Sequence, residues 1–351
     1  PLTLNQTSEL DLALQRLPSS MVSGRVIDQT SGQPLAATVS VLNTPLTTQT
    51  DENGRYELIL PHGSYRLQSE AIGHRLESGL VLSQPTQNVE HTFALPEAPS
   101  LLFVDNGAWY FRSAADEYQA LFNSLRYSVD EHAIYNPLTD LPTAEQMAGY
   151  DVVIWSDPLT SPGAIGAAGI ISDILGLGGN LFISGQNVGI DGSAFGLSHW
   201  WANQLQAAFG GTAPYSSTIH GVPNGPFADL AFTLNGGSSA NNQTAPDIAR
   251  PHDRSLSEQL FTYDFGEGAS VESRRCQPFH IIQLGFGLEG VTDAADRATI
   301  LQRSIDRFLT PNPSGGARII HPGITDFALS GSELVYTLTV QNLSETLTDT
   351  L

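Results

Sequence analysis

The segment GGNLFISGQNVG, Gly178 to Gly189, has the residue types and spacing in this chain that are best suited to a chemical reaction. It predicts a short buried strand over Leu181 to Ser184, followed directly by a glycine-rich turn. In α/β proteins, nucleophiles and phosphate-binding loops are built where a strand runs into such a turn. A reaction at this turn needs a nucleophile and a base close to it.

Two residues are candidate nucleophiles. Ser184 ends the predicted strand. Cys276 lies in SRRCQP, directly after two arginines that would lower the pKa of its thiol and before an apolar strand. No histidine has a sequence position that places it beside Ser184, so the alternative is a strand-end hydroxyl that binds a backbone N–H. The alternative for Cys276 is a structural thiol. Because Cys276 is the only cysteine, an intramolecular disulfide and a cysteine-rich zinc site are excluded.

Two carboxylates come at the ends of predicted parallel strands, where α/β sheets bind their ligands. These are Asp105 and Asp157. Together with the amides of Asn106, Gln186 and Asn187, they would form an oxygen-lined pocket suited to Ca²⁺ or a sugar. The alternative is that each aspartate caps the helix that follows it, which needs no ligand. Capping is the favoured hypothesis, and no cofactor other than Ca²⁺ is expected.

The charge balance excludes several classes of function. The 351 residues include 36 Asp+Glu and 15 Lys+Arg, a formal net charge of −21 that would repel nucleic acid and anionic lipid. All the basic residues are arginines, so Walker phosphate loops and lysine Schiff bases are ruled out. No apolar run approaches the length of a membrane span, so we expect no membrane insertion.

Residues 20–96 consist of short alternating or apolar segments separated by turn residues, a pattern typical of an all-β sandwich. Four blocks stand in order: GRVID at Gly24, GQPLAATVSV at Gly32, TDENGRYEL at Thr50 and GSYRL at Gly63. These blocks resemble the carboxypeptidase regulatory-like domain, a prealbumin-like sandwich. The resemblance implies a scaffold or spacer, since that family has no catalytic residues to transfer.

Residues 99–311 alternate between strands and helices, which predicts a flavodoxin-like, doubly wound α/β domain. The strands include LLFVDN, YDVVIWSD and FHIIQL, and helices are predicted over Ser113 to Arg126, Trp200 to Phe209 and Asp293 to Leu309. Residues 210–275 are rich in Gly, Ser, Asn and Pro. They offer only STIHGV and LAFTLN as strand candidates.

The blocks AGYDVVIWSD, GGNLFISGQNVG and GFGLEG resemble a divergent branch of the class I glutamine amidotransferase-like fold. In those enzymes the turn reads GxCxG, because a strained turn lifts a cysteine thiol above the sheet. Here the matching residues are Gly185, Gln186, Asn187, Val188 and Gly189, so an amide stands at the nucleophile position. The late segment, which would supply the base, reads FGLE and has no histidine. The resemblance therefore implies a degenerate site without catalytic residues.

Both ends of the chain look like parts of further β domains. Residues 1–19 resemble the last strand of residues 20–96, which predicts the tail of a preceding β domain. Residues 312–351 contain GSELVYTLTVQN, which resembles the opening of an immunoglobulin-like repeat. We expect a piece of a string of extracellular domains.

The predicted function is that of a non-catalytic accessory or scaffold segment, located outside the cell or on its surface. The combination of domains resembles secreted multidomain bacterial subtilisin-like proteases, which implies that the full-length parent is a serine-type endopeptidase. The Asp-Thr-Gly, His-Gly-Thr and Gly-Thr-Ser-Met-Ala blocks of such a protease do not occur here. Expected partners are other domains of the same polypeptide and cell-surface or extracellular polymers. The alternatives are a carbohydrate or Ca²⁺ binding module and a hydrolase or amidotransferase that uses Cys276.

Overall fold

The computed structural model describes residues 17–85, 88–189, 202–275, 277–310, 317–320 and 339–342. The chain divides into two compact units, Pro1–Ala98 and Pro99–Leu351. Within the described ranges, no helix combines the length and the apolar character needed to cross a membrane.

In the described residues of the first unit, all regular elements are strands. Two sheets form, one with the order β4-β1-β7, in which β8 also pairs with β1, and one with the order β3-β2-β5-β6. The strands are β1 (Ser19–Asp28), β2 (Ala37–Val41), β3 (Thr47–Gln49), β4 (Arg55–Pro61), β5 (Gly63–Ala71), β6 (Glu77–Ser83), β7 (Val89–Glu90) and β8 (Phe93–Leu95).

The period-two pattern of the sequence places the core of this unit between its sheets. Along β4 the residues are alternately exposed and buried, so Tyr56, Leu58 and Leu60 point inward. They join one apolar cluster, which also contains Val22, Val26, Ala37, Val39, Val41, Leu67, Val81, Phe93 and Leu95. Burying each large apolar side chain contributes about 1.5–3 kcal/mol. The described residues thus form the β-sandwich that the sequence predicts.

Two glycines of the sequence blocks are required by close backbone contacts. Gly54 has φ of +72°, and a Cβ there would lie 2.5 Å from the Val26 carbonyl oxygen. A Cβ on Gly24 would lie 1.8 Å from the carbonyl oxygen of His91, at the point where β1 passes the segment between β7 and β8. The hydroxyl of Tyr56 donates to the same oxygen at 2.7 Å. These contacts explain why a side chain is absent at both positions.

We predict that Gly24→Ala destabilises the sandwich by roughly 2 kcal/mol or more, because the added methyl overlaps a backbone oxygen that cannot move freely. Gly63→Ala is the matched control, since its Cβ would be no closer than 3.4 Å to any atom. Urea unfolding of residues 17–98 produced alone, followed by far-ultraviolet circular dichroism, measures both changes. Equal stabilities for the two variants would contradict the steric explanation.

The second unit contains a seven-stranded sheet with the order β10-β9-β11-β12-β20-β19-β17. Its strands are β9 (Leu101–Asp105), β10 (Val129–Ala133), β11 (Val152–Asp157), β12 (Asn180–Gly185), β17 (Ser257–Gln259), β19 (Ser270–Ser273) and β20 (His280–Leu284). The α-helices that lie wholly within the described residues are α1 (Ala115–Leu125), α2 (Ala144–Ala148), α3 (Ala168–Gly176) and α4 (Ala294–Phe308). Strands β10, β9, β11, β12 and β20 are parallel, and β19 and β17 are antiparallel to their neighbours.

Helices pack on both faces of this sheet. On one face, Phe103 of β9 stacks on Tyr118 of α1 with ring centroids 4.7 Å apart, and α1 contacts α4. On the other face, Trp155 and Ile183 lie in a cluster with Ile171 of α3, and α3 contacts α2. Because both faces are covered, the central strands are buried along their whole length.

Residues 205–275 form further short strands. These are β13 (Ala207–Thr212), β14 (Ile219–Gly221), β15 (Ala231–Phe232), β16 (Asp247–Pro251) and β18 (Phe261–Tyr263). The candidates STIHGV and LAFTLN contain β14 and β15, which pair with each other. The predicted helix over Trp200 to Phe209 is wrong at its end, because β13 begins at Ala207 and pairs with β16. Pairing with a distant strand overrides the local sequence here.

The ends of the chain are described only in part. Strands β21 (Ala317–Ile320) and β22 (Thr339–Asn342) form an antiparallel pair. The other residues of 312–351, and residues 1–16 of the N-terminal segment, lie outside the described ranges. The tail strand over 1–19 and the immunoglobulin-like repeat over 312–351 therefore stay predictions.

Candidate functional site

Polar side chains lie side by side at the carboxyl edge of the parallel strands. Asp105, Ser156 and Ser184 are opposite one another in the strand register. Side chains in register share a face of the sheet, and here it is the face that carries α1. All three residues are buried. This row is the floor of the crevice in which the sequence predicts a site.

The turn after β12 keeps a strained shape without a nucleophile. Asn187 has φ of +61°, in the left-handed region that asparagine tolerates better than most residues. It is half-buried, whereas Gly185, Gln186, Val188 and Gly189 around it are buried. At Gly185 a Cβ would lie 2.0 Å from the Asp157 carbonyl oxygen, so only glycine fits there. The turn therefore presents an amide at its apex, and an amide cannot attack an acyl group.

Ser184 forms hydrogen bonds to the loop after β20. Its side chain is buried, and its Oγ donates to the carbonyl of Phe286 at 3.3 Å and accepts from the N–H of Leu288 at 2.6 Å. No described histidine is among its hydrogen-bond partners. The hydroxyl holds the loop after β20 against β12, which is a structural role.

Gln186 ties the turn to the loop of residues 242–245. Its Nε2 donates to the Asn242 carbonyl at 2.7 Å, and its Oε1 accepts from the N–H groups of Thr244 and Ala245 at 2.6 and 2.8 Å. The side chain is buried, and its amide is used on both sides. Gln186 is thus an internal connector and offers no free group to a ligand.

A second connection holds the end of the turn. The N–H of Gly189 donates to Oδ2 of Asp247 at 2.7 Å, and the Tyr263 hydroxyl donates to the backbone carbonyl of Asp247 at 2.9 Å. Asp247 is buried, and it belongs to β16. The irregular region 205–275 therefore fixes the turn from a distance in sequence.

Neither predicted metal ligand caps a helix. Oδ1 of Asp105 accepts from the N–H of Gly107 at 2.8 Å, and a carboxyl oxygen of Asp157 accepts from the side-chain amide of Asn106. The capping hypothesis is wrong, because the residues at the N-caps of α1 and α3 are Ala114 and Ala167. Both helices begin well after the strands end, so the carboxylates instead order the intervening loops.

The carboxylates do not assemble a cation site on their own. Asp105 and Asp157 are buried, and both are engaged by the protein's own amides. Over the described parts of the chain, no group of three or more His, Cys, Asp or Glu side chains has a geometry that would hold a metal ion. Cys276 lies outside the described residues. Of the arginines beside it, Arg275 pairs with Glu258 at 2.7 Å.

One further acid is buried beside this row, and its position was not predicted. Glu289 follows β20 in a 3-10 turn, and its Oε1 accepts from Asn242 at 2.9 Å and from Gln243 at 3.1 Å. Its Oε2 is buried without a hydrogen-bond partner among the described residues. Burial, with a smaller contribution from the charge of Glu117, raises the pKa of Glu289 to about 7.

Two tyrosines lie near these acids. Tyr118 of α1 is buried, and burial raises the pKa of its hydroxyl well above the usual value, with the charge of Glu289 as a further cause. The hydroxyl of Tyr110 accepts from the N–H of Leu159 at 3.1 Å. The crevice is therefore lined by polar groups, and no described histidine hydrogen-bonds to Ser184 there.

The residues that sequence reasoning missed are Asn242, Gln243, Asp247 and Glu289. The sequence feature that points to this cluster is the presence of glycine at positions 287 and 290 of GFGLEG. A Cβ on Gly287 would lie 2.1 Å from Oε1 of Glu289, and one on Gly290 would lie 2.1 Å from the side chain of Gln243. Glycines this close to a carboxylate and an amide mark a tightly packed polar cluster.

Residues 21–96 match the family model of the carboxypeptidase regulatory-like domain. The match confirms the prediction made from the four sequence blocks of this segment. The family is shown for these residues only, which are less than half of the chain. No curated protein sequence matches the chain.

Among solved structures, the chain is similar to an interface mutant of a type II cohesin–X-dockerin complex from Acetivibrio cellulolyticus (22% identity, 21% of this chain, 52% of that chain, TM-score 0.18). It is also similar to a pilus 2b backbone protein of group B streptococcus (17% identity, 22% and 41% covered, TM-score 0.20). A third similar structure is the Bacillus anthracis TIE protein (17% identity, 25% and 20% covered, TM-score 0.22). The chain thus spans about half or less of the length of these proteins, and TM-scores this low carry no functional argument.

The free energy of unfolding of the unsubstituted chain should be lower at pH 8 than at pH 5. We predict that Glu289→Gln abolishes this decrease. Between pH 4.5 and about 7, folded Glu289 keeps a proton that the unfolded chain releases, so the free energy of unfolding falls as the pH rises. The fall amounts to about 3 kcal/mol. Urea unfolding at pH 5 and pH 8, followed by the fluorescence of the tryptophans, all in the second unit, measures it.

The control is Glu145→Gln, which removes an exposed carboxylate from α2. It should lose as much stability between the two pH values as the unsubstituted chain. If Glu289→Gln showed this same loss, Glu289 would not be the group that stays protonated in the fold.

Proposed function

We propose that this chain is a non-catalytic accessory segment of a larger extracellular bacterial polypeptide. The observation that carries the proposal is Asn187, which occupies the apex of the strained turn at φ +61°, where a nucleophile would stand. The side chains of the neighbouring Ser184 and Gln186 form hydrogen bonds with loops of the protein. A turn used in this way stabilises a fold rather than a transition state.

The second unit is proposed to be a flavodoxin-like domain of the degenerate amidotransferase-like type. Numbered along the chain, its parallel strands have the order 2-1-3-4-5, which is the flavodoxin-like order. The left-handed residue between buried glycines supports descent from a turn that once carried a nucleophile. The first unit, with its regulatory-like sandwich, would act as a spacer.

The parent polypeptide is proposed to be a secreted subtilisin-like protease. The support is the resemblance of the domain combination, with the regulatory-like segment over residues 21–96 as its matched part. Reading the gene on both sides of this segment tests the proposal. The Asp-Thr-Gly, His-Gly-Thr and Gly-Thr-Ser-Met-Ala blocks should appear in the same reading frame, and a complete reading frame that lacks them would rule out this parent.

We predict that the chain hydrolyses no peptide, amide or ester. Casein, glutamine p-nitroanilide and p-nitrophenyl acetate are suitable substrates, and product release should equal that of buffer. Cys276→Ala and Ser184→Ala complete the test, since these residues are the remaining candidate nucleophiles. Turnover by the unsubstituted chain that vanished in either variant would establish a hydrolase and overturn the proposal.

We further predict that Ca²⁺ does not stabilise the second unit. Asp105 and Asp157 each accept a hydrogen bond from a nearby amide, which orders the two carboxylates without a cation. A ligand that binds only the folded state raises the melting temperature by mass action, so melting curves with millimolar Ca²⁺ and with a chelator should coincide. A rise of several degrees that disappears in Asp105→Asn and Asp157→Asn would instead establish a calcium-binding module.

A further inference from the structure

Two neighbouring loops of the second unit present apolar side chains to solvent. Ala133 at the end of β10 is opposite Asp105 at the end of β9, so the loops after these parallel strands leave the sheet at the same edge. Phe111 in the first loop is 94% exposed, and Leu138 in the second is 93% exposed. Tyr135 adds a ring that is 73% exposed. Exposed apolar side chains that are grouped at one place on a surface are typical of interaction sites.

The loop that carries Phe111 is fixed by its own hydrogen bonds. The N–H of Arg112 donates to the Gly107 carbonyl at 2.9 Å, and a Cβ on Gly107 would lie 2.3 Å from the Arg112 carbonyl oxygen. Trp109 donates through its indole N–H to Oδ1 of Asn106 at 3.2 Å. Only Phe111 is left with its ring outside these contacts and almost fully exposed, so its exposure is built into the loop.

Phe111 has a strained backbone conformation. Its φ is +59°, in the left-handed region that a bulky residue occupies only with strain. Glycine or asparagine would suit this position better. Because the ring is 94% exposed, the free energy of hydrophobic burial within this unit does not offset the strain energy of the backbone.

The second loop holds Leu138 in a similar way. The N–H of Leu138 donates to Oδ1 of Asn136 at 3.0 Å, and the N–H of Asn136 donates to Oδ2 of Asp140 at 2.9 Å. The carbonyl of Asn136 accepts from Thr139 and Asp140. Both loops are thus ordered before any partner arrives, which lowers the entropy lost on binding.

The negative charge around these loops indicates which kind of partner would bind there. Asp116 and Glu131 are exposed near the two loops, while Arg112 is the one exposed basic residue of the described segments 106–117 and 131–140. The whole chain carries a formal charge of −21. A second copy of the chain, an anionic lipid surface and a nucleic acid would all be repelled. A cation can bind over aromatic rings while carboxylates lie close by.

We propose that Phe111, Tyr135 and Leu138 form a docking surface, the apolar corner, for a basic peptide segment of a partner protein. Apolar side chains of the partner cover Phe111 and Leu138, and its lysines or arginines lie over the exposed rings and beside Asp116 and Glu131. Opposite charge speeds the encounter, and burial of the apolar side chains holds the complex together. This inference does not depend on whether the turn at Asn187 is inert.

The test uses the full chain and a fluorescein-labelled peptide of alternating lysine and leucine, with fluorescence anisotropy as the readout. We expect binding that weakens as salt is raised. The double variant Phe111→Asn and Leu138→Ser should weaken binding by about tenfold or more. Leu177→Ser is the matched control, because Leu177 is also exposed but precedes β12, at the opposite edge of the sheet. It should bind within about twofold of the unsubstituted chain.

Further measurements separate the proposed partner from other occupants. A peptide with glutamate in place of lysine should not bind, and a soluble neutral β-glucan should not compete. Phe111→Asn alone should leave the stability of the chain equal or higher, since asparagine fits the left-handed backbone. Equal binding by the double variant, binding of the acidic peptide, competition by the glucan, or destabilisation by Phe111→Asn would each overturn the proposal.

Discussion

The buried amide of Gln186 is the interaction on which the carboxyl edge of the α/β unit depends. Its donor and its acceptor both reach the loop of residues 242–245, which lies 56 to 59 positions further along the chain. In a water-free interior, each group left without a partner would cost about 1–3 kcal/mol. The turn after β12, the loop that carries Gln243 and the turn that carries Glu289 therefore form one unit, because Gln243 contacts both the Gly287 N–H and the Glu289 carboxyl.

This constraint accounts for the backbone of the turn at Asn187. A turn that exposes a nucleophile needs free space above it for a substrate, together with a base that can accept a proton. In this chain the apex of the turn is an asparagine, and Glu289, a buried acid of the loop after β20, stays protonated up to about pH 7. The strain at Asn187 persists because the glycines and long-range hydrogen bonds around it determine the backbone there.

The sequence revealed the parts of the fold that local pattern controls. Alternation along β4 and the glycines at 24 and 54 identified the sandwich, and the buried runs of β9, β11 and β12 identified the parallel strands. The apex at Asn187 was also predictable, because the glycines at 185 and 189 fix its place in the turn. The partners of Gln186 and Asp247 were not, since they join residues 56 to 59 positions apart within a glycine- and asparagine-rich stretch that has no period. The prediction that Asp105 and Asp157 cap helices was wrong, because sequence alone does not reveal how many loop residues precede a helix.

The strand arrangement of the sandwich has a mechanical consequence. The first long strand, β1, lies beside the last two, β7 and β8, and runs parallel to both. If the chain is pulled at the two ends of this unit, the force on β1 and the force on β8 act in opposite directions along neighbouring strands. All of the hydrogen bonds between them are then loaded together in shear, whereas a terminal antiparallel hairpin would open one bond at a time. A domain connected in this way resists extension when its two ends are pulled apart.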